Sequence, residues 1–191
     1  MRGDCRRSGP SGWCVTAHGG QLAHGATIDN WTRVAHIVQQ MSRTIGIECK
    51  KQEVYVALAE DGALLDVEPQ RLQVPAIHEQ SARLRGFLDA FGRVLAELQP
   101  DSVNILQPET VYSASYGEIA PKAALETLIR LACVDVGVPV QMLHRATVRS
   151  SLGGKGKLDE LIAEKIEPVG KYWNAGRKYA AAAALTTKRK K

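Results

Sequence analysis

Cysteine is scarce in this chain of 191 residues: there are four, and none stands in a tight Cys-x2–4-Cys pair. Cys5 and Cys14 lie near His18 and His24, yet without such a pair the four do not make a zinc knuckle. No apolar run approaches the roughly 20 residues that span a bilayer. The arginines near the N-terminus are followed by no apolar stretch, so this end does not read as a signal peptide. These absences set the first expectations: a cytoplasmic setting, no membrane partner, and no disulfides among Cys5, Cys14, Cys49 and Cys133. A P-loop is missing too. Gly153-Gly154-Lys155-Gly156-Lys157 has no Ser or Thr after a lysine to hold magnesium, which excludes nucleotide hydrolysis of that kind.

What is present fits one domain. At 45% hydrophobic and 24% charged, the composition is ordinary for a globular protein, and the length suffices for one α/β domain with a buried core. The net charge of +5 is unevenly placed. Residues 41–150 carry eleven basic and fourteen acidic groups, whereas residues 151–191 carry ten and four. A basic end on a mildly acidic body suits contact with phosphates; the bland alternative is a tail that only keeps the chain in solution.

Residues 1–42 read as an extension. Arg6-Arg7-Ser8-Gly9-Pro10-Ser11-Gly12 holds too little apolar surface to offset its ordering entropy. Only Trp31 to Gln40, with Val34, Ile37 and Val38, is spaced for a turn or two of helix. The expectation is a disordered or weakly helical arm, with Met41, just ahead of the first strand, as an alternative start of translation. The domain is expected over residues 43–186 and a basic tail over 187–191.

The core opens on Thr44-Ile45-Gly46-Ile47-Glu48-Cys49-Lys50, a short apolar run carrying a carboxylate near its end. Glu53 to Ala59 alternates outward Glu53 and Tyr55 with inward Val54 and Val56, the period of a half-buried strand. Asp61-Gly62 tolerates positive φ and predicts a hairpin into Ala63–Val67. Arg71 to Pro75 reads as a polar crossover. Leu84, Phe87, Leu88, Phe91, Leu95 and Leu98 recur at helical spacing and predict an amphipathic helix from His78 to Leu98. A fourth strand follows over Val103–Gln107, a helix over Glu118–Val134 and a fifth strand over Gly137–Leu143. Further helices are expected over Leu158–Lys165 and from Pro168 to Leu185. Right-handed crossovers make the first, fourth and fifth strands parallel. The expected fold class is α/β: a mixed five-stranded sheet, three antiparallel strands then two parallel, with helices on both faces.

This order resembles the ribonuclease H-like fold, and three motifs resemble its RuvC-like branch, the Holliday-junction resolvases and their small relatives. Ile45-Gly46-Ile47-Glu48 is similar to the branch's opening strand, with Glu48 where an aspartate is usual. Asp101-Ser102-Val103-Asn104-Ile105-Leu106-Gln107 is similar to its fourth-strand pattern, Asp-x-Val-x-Ile-Glu-Gln. Val148 to Gly156 resembles the loop Val-Lys-x-x-Val-x-Gly-x-Gly that follows the fifth strand. The resemblance runs from about Thr44 to Leu185. It implies Mg or Mn held by acids of the first strand, the fourth strand and the last helix. It also implies nucleic acid, DNA or RNA, as the partner, and a homodimer.

Against that pattern the acid set is incomplete. Glu48 keeps the first position and is the metal candidate. The fourth-strand glutamate position is Leu106, and the last helix offers Asn174, Arg177 and Lys178 followed by Ala180 to Ala184. Two divalent ions need several carboxylates between them, and a cation in that place repels a metal. Glu109, and Glu118 or Glu126 on the following helix, are conceivable substitutes; Glu48 and Glu109 form the candidate catalytic pair.

The remaining chemistry is basic. Lys155 and Lys157 in the glycine-rich loop, with Lys171, Arg177 and Lys178 beside Tyr172, Trp173 and Tyr179, are candidate nucleic-acid contacts. Solvated charge and helix docking are the bland readings of the same residues. Tyr112 and Tyr116 stack on bases or pack on the helix below, His144 reads as structural, and Cys49 as a small buried hydrophobe. Three functions follow from these observations. One is a nucleic-acid-binding protein with a degraded metal site and no cofactor. Another is an active metal-dependent endonuclease. The third is a protein-interaction module whose basic end meets an acidic partner.

Overall fold

The computed structural model describes residues 42–76, 78–108 and 115–186, with the side chain of Glu118 left aside. The expectations placed on residues 1–41, on Glu109 and Tyr112, and on the tail 187–191 lie outside the described residues.

Strand β1 (Arg43–Lys50) pairs antiparallel with β2 (Glu53–Glu60), and β2 with β3 (Ala63–Leu65). On its other side β1 runs parallel to β5 (Ser102–Leu106), and β5 parallel to β6 (Val140–Leu143). The sheet has six strands rather than five, because Arg71–Gln73 forms β4 against the start of β2. It pairs with β2 alone among the described strands, an edge position that its polar side chains suit. Arg71 Nη1 and Gln73 Nε2 donate to Glu53 Oε1 at 3.2 and 2.9 Å, so residues that read as a crossover are pinned across the sheet.

Helices α1 (Gln80–Leu98) and α2 (Tyr116–Asp135) cover one face. There Ile45, Ile47, Cys49, Val54, Val56, Leu58, Val103 and Ile105 meet Phe87, Phe91, Leu125 and Ile129 in the main core. The other face carries α3 (Arg145–Ser151), α4 (Leu158–Lys165), a π-helical turn (Trp173–Arg177) and α5 (Lys178–Ala184). No helix starts at Pro168: Gly170 and Tyr172 take φ of 71° and 58°, left-handed values that interrupt helical continuation. Tyr55, expected to face outward, is buried, because α5 and the π turn roof the face it points to.

That roof sits very close. A side chain at Gly46 would overlap the carbonyl oxygen of Ala180 and the amide nitrogen of Ala184, so the α5 backbone rests directly on β1. Ala180 to Ala184 are all buried, and nothing larger than a methyl fits at such a separation. Asn104, buried on β5, donates from Nδ2 to the carbonyls of Ala183 and Thr186 at 2.9 and 3.0 Å and fixes the far end of α5. The free carbonyls of a helix end are thereby partnered inside the core.

Candidate functional site

The three parallel strands end level with one another: Glu48 pairs in register with Leu106, and Leu106 with Leu143. Residues just past the carboxyl ends of such strands converge on one edge, where open α/β sheets carry their sites. Glu48 sits there at the end of β1, on the face roofed by α5. Arg145 arrives two residues beyond β6, and its Nη2 meets Glu48 Oε1 at 3.1 Å. The Glu48 side chain is 2% exposed and that of Arg145 is 22% exposed, so the pair is shielded on the acid side and open on the other.

Burial dominates the acid's ionisation. It pushes the Glu48 carboxyl up to about 7, against the pull of Arg145, Lys122 and Lys50 and with a further push from Glu126. Glu126, on α2, has its own carboxyl raised by burial, opposed by Lys122 and Arg130. Glu48 Oε2, Glu126 Oε1 and Arg145 Nε are buried without a hydrogen-bond partner among the described residues. Glu126, one of the two substitutes expected on the helix, thus comes within electrostatic reach of Glu48. Leu106, at the expected glutamate position, is fully buried. Among the described residues no three His, Cys, Asp or Glu side chains gather as metal ligands.

Tyr179, the second residue of α5, organises the cations. The Arg145 guanidinium lies 4.6 Å from its ring centre, with Lys178 Nζ at 5.1 Å and Lys50 Nζ at 5.8 Å. The Tyr179 hydroxyl donates to Asp159 Oδ1 at 2.7 Å, and Lys178 Nζ reaches the same oxygen at 2.6 Å. These bonds, from Lys178 first and Tyr179 next, hold the Asp159 carboxyl below its usual value. Beside this cluster opens a cavity of about 560 Å³, lined among others by His144, Arg145, Arg149, Lys157 and Tyr179.

The residues expected to touch nucleic acid divide sharply. Lys155, Lys157 and Lys171 are exposed. Lys157 lines the cavity, and its backbone N–H bonds Glu160 Oε2 at 3.3 Å. Lys178 is tied to Asp159. Arg177 is 1% exposed and is corrected here to a residue of the fold. Its Nε donates to the Val56 carbonyl at 3.2 Å, its Nη1 to the Val169 carbonyl, and its Nη2 lies 3.8 Å from Asp66. The π turn points it inward, with Gly176 stacked so closely on Tyr55 that a side chain would strike the ring. His144, beside the ion pair, lines the cavity and is exposed.

Arg145, Arg149, Lys50 and Lys122 were not singled out from the sequence. The available signal was register: a parallel β6 ending level with Glu48 places the next residues on the acid's edge.

No family model and no curated protein matches the sequence. Among solved structures, RuvC of Thermus thermophilus is similar at a TM-score of 0.58 and 19% identity, over 75% of this chain and 92% of that one. The T. thermophilus RuvC solved with a Holliday junction substrate gives the same TM-score at 16% identity, over 76% and 91%. The yeast mitochondrial Holliday junction resolvase Ydc2 reaches 0.48 at 14% identity, over 86% and 85%. Together with the strand order and helix placement above, the two Thermus structures establish that this chain has the RuvC-like form of the ribonuclease H fold.

Proposed function

We propose that this protein binds nucleic acid on the C-terminal edge of its sheet, and that an arginine there replaces the metal ions of a nuclease centre. The observation that carries the reading is the Arg145–Glu48 ion pair, with Lys50 and Lys122 also acting on the same carboxylate. Glu48 and Glu126 are too few acids to neutralise and hold two divalent ions, and a guanidinium on Glu48 Oε1 competes directly for the donor. What remains suits a polyanion. Arg149, Lys155, Lys157 and Lys171 are exposed and Lys178 flanks them, while T. thermophilus RuvC has been solved with a junction on the same fold. A homodimer belongs to the same proposal; Leu131, Val134 and Val136 on and just after α2 leave an apolar strip exposed.

Binding to branched and duplex DNA and to RNA, titrated with salt, tests it. Association that weakens steeply as salt rises is expected, with no strand scission in Mg or Mn. Metal-dependent cleavage that disappears in Glu48→Gln would overturn it. That result would install a second reading, an endonuclease using Glu48 with Glu126 and Glu109. The two acids with unpartnered buried oxygens are the observation in its favour. Flat curves on every nucleic acid would point instead to an acidic protein partner.

A further inference from the structure

The cavity beside the ion pair is a pocket rather than a track. At about 560 Å³ it lies within the range of small-ligand sites and is far too small for a duplex. Its charged lining is lopsided. Among the described residues Arg145, Arg149 and Lys157 face it, and of the acids Asp159 alone does. Asp159 is already engaged by Lys178 Nζ and the Tyr179 hydroxyl, so it repels an entering anion weakly. Arg149 follows Arg145 by four residues on α3, which puts both guanidinium groups on one side of the helix. Neither Arg149 nor Lys157 has an ion-pair partner among the described residues. Arg145 gives Nη2 to Glu48 and leaves a buried Nε without a partner. The floor and walls are short and apolar at Ala146, Pro108 and Leu158.

We propose that this pocket seats a single nucleotide unit, its phosphate gripped by Arg149, Lys157 and Arg145, with Arg145 shared between that phosphate and Glu48. The proposal rests on the nucleic-acid reading above and narrows it to one nucleotide at a strand end or lifted out of a strand. A guanidinium fork holds a carboxylate on one edge and a phosphate on another, which a lysine ammonium cannot reproduce. Arg145 is in this view a binding residue positioned by Glu48, and Glu48 makes no contact with the ligand.

The test uses the full chain and three probes: a nucleoside 5′-monophosphate, a short single strand with a 5′-phosphate, and the same strand without it. Wild type, Arg149→Ala with Lys157→Ala, and Arg85→Ala with Arg93→Ala are compared by fluorescence anisotropy and calorimetry. The last pair is exposed on α1, over the other face of the sheet, and serves as the charge-matched control. Expected is measurable monophosphate binding, at least tenfold weaker in the Arg149–Lys157 variant and changed less than threefold in the control. Binding of the 5′-phosphorylated strand should exceed that of the unphosphorylated one or, if an internal nucleotide enters, equal it with the same variant sensitivity. Strands that bind the wild type and both variants alike would overturn the pocket while leaving the nucleic-acid reading in place. Monophosphate binding with no strand binding would sustain the pocket and sink that reading. No binding of any probe would sink both.

Discussion

The two faces of the sheet share the same strands and obey different rules. Along β1, Ile45, Ile47 and Cys49 point into the apolar core under α1 and α2, while Gly46 and Glu48 point at α5. The first face is filled by large side chains and specified by their volume. Where α5 crosses β1 and β2 the second is specified by their absence: Gly46, Ala57 and five consecutive alanines let two backbones meet, the polar groups Glu48, Asn104 and Arg177 are buried nearby, and large side chains return beyond them at Leu106, Leu143 and Ile162. A site grows on the second face because a close-packed roof excludes water there, shifts Glu48 and makes a buried polar atom without a partner, such as Glu48 Oε2, costly.

The contrast breaks most readily at Gly46. Gly46→Val places its branches inside the α5 backbone, and no rotamer escapes. We expect loss of more than about 4 kcal/mol, enough to abolish a cooperative melting transition. Ile47→Ala, one residue away on the other face, deletes core volume and costs about 3 kcal/mol, leaving a folded chain with a lowered Tm. If the valine variant melts like the alanine variant, the roof is more compliant than the packing requires.

The same asymmetry explains what could be read from the sequence. The α1 stripe of Phe87, Phe91, Leu95 and Leu98 and the alternation of Val54 and Val56 carry strong periods, and strand order, parallel pairing and helices on both faces follow from them. Alanine and glycine carry no such period. So Ala180–Ala184 announce missing acids but not a backbone roof, and the alternation of β2 alone turns Tyr55 toward solvent. Arg177 looked like a phosphate contact because charge alone was visible, whereas the π turn and Gly176 that bury it depend on tertiary contacts. Glu48 was legible as the site's first acid. Its partner Arg145 was not, since the pair is 97 residues apart and only the β1–β5–β6 register unites them.

Next in size is the titration of Glu48. Its carboxyl sits at about 7 in the fold against 4.5 for a free glutamate, so the folded state binds this proton more tightly. The associated stability is fully present below pH 4.5 and is lost as pH rises through 7. Glu48→Gln mimics the protonated acid. It should remove that slope and gain roughly 2–3 kcal/mol over wild type at pH 8, with little difference at pH 4. Urea melts across that range decide the point; parallel curves for the two proteins would show that Glu48 is ionised in the fold at ordinary pH.

Arg145→Ala works in the reverse sense. Without the guanidinium the Glu48 carboxyl rises further, and a buried anion is left to Lys122 and Lys50. Because Arg145 is partly exposed, the loss at pH 8 should be about 2 kcal/mol rather than the full value for a buried pair. At pH 5, where Glu48 is protonated with or without the arginine, the loss should shrink below about 0.5 kcal/mol. An equal loss at both pH values would assign Arg145 to packing on Tyr179 instead.

The smallest effect separates the ring of Tyr179 from its hydroxyl. Tyr179→Phe keeps the aromatic face under Arg145 and Lys50 and deletes the bond to Asp159. Asp159 is more than half exposed and retains Lys178, so stability should fall by only about 0.5 kcal/mol. The Asp159 carboxyl should move up toward its ordinary value, because one of the two bonds that hold it down is gone. What stability it contributes, present at neutral pH, should then be lost at a higher pH on acidification. Tyr179→Leu removes the ring as well, so Arg145 and Lys50 lose the surface that gathers them. If the leucine variant weakens phosphate binding severalfold while the phenylalanine variant does not, the face of the ring sets the cation cluster. If both weaken it alike, the hydroxyl and Asp159 set it, and the close-packed roof would matter to the site only through the acid it buries.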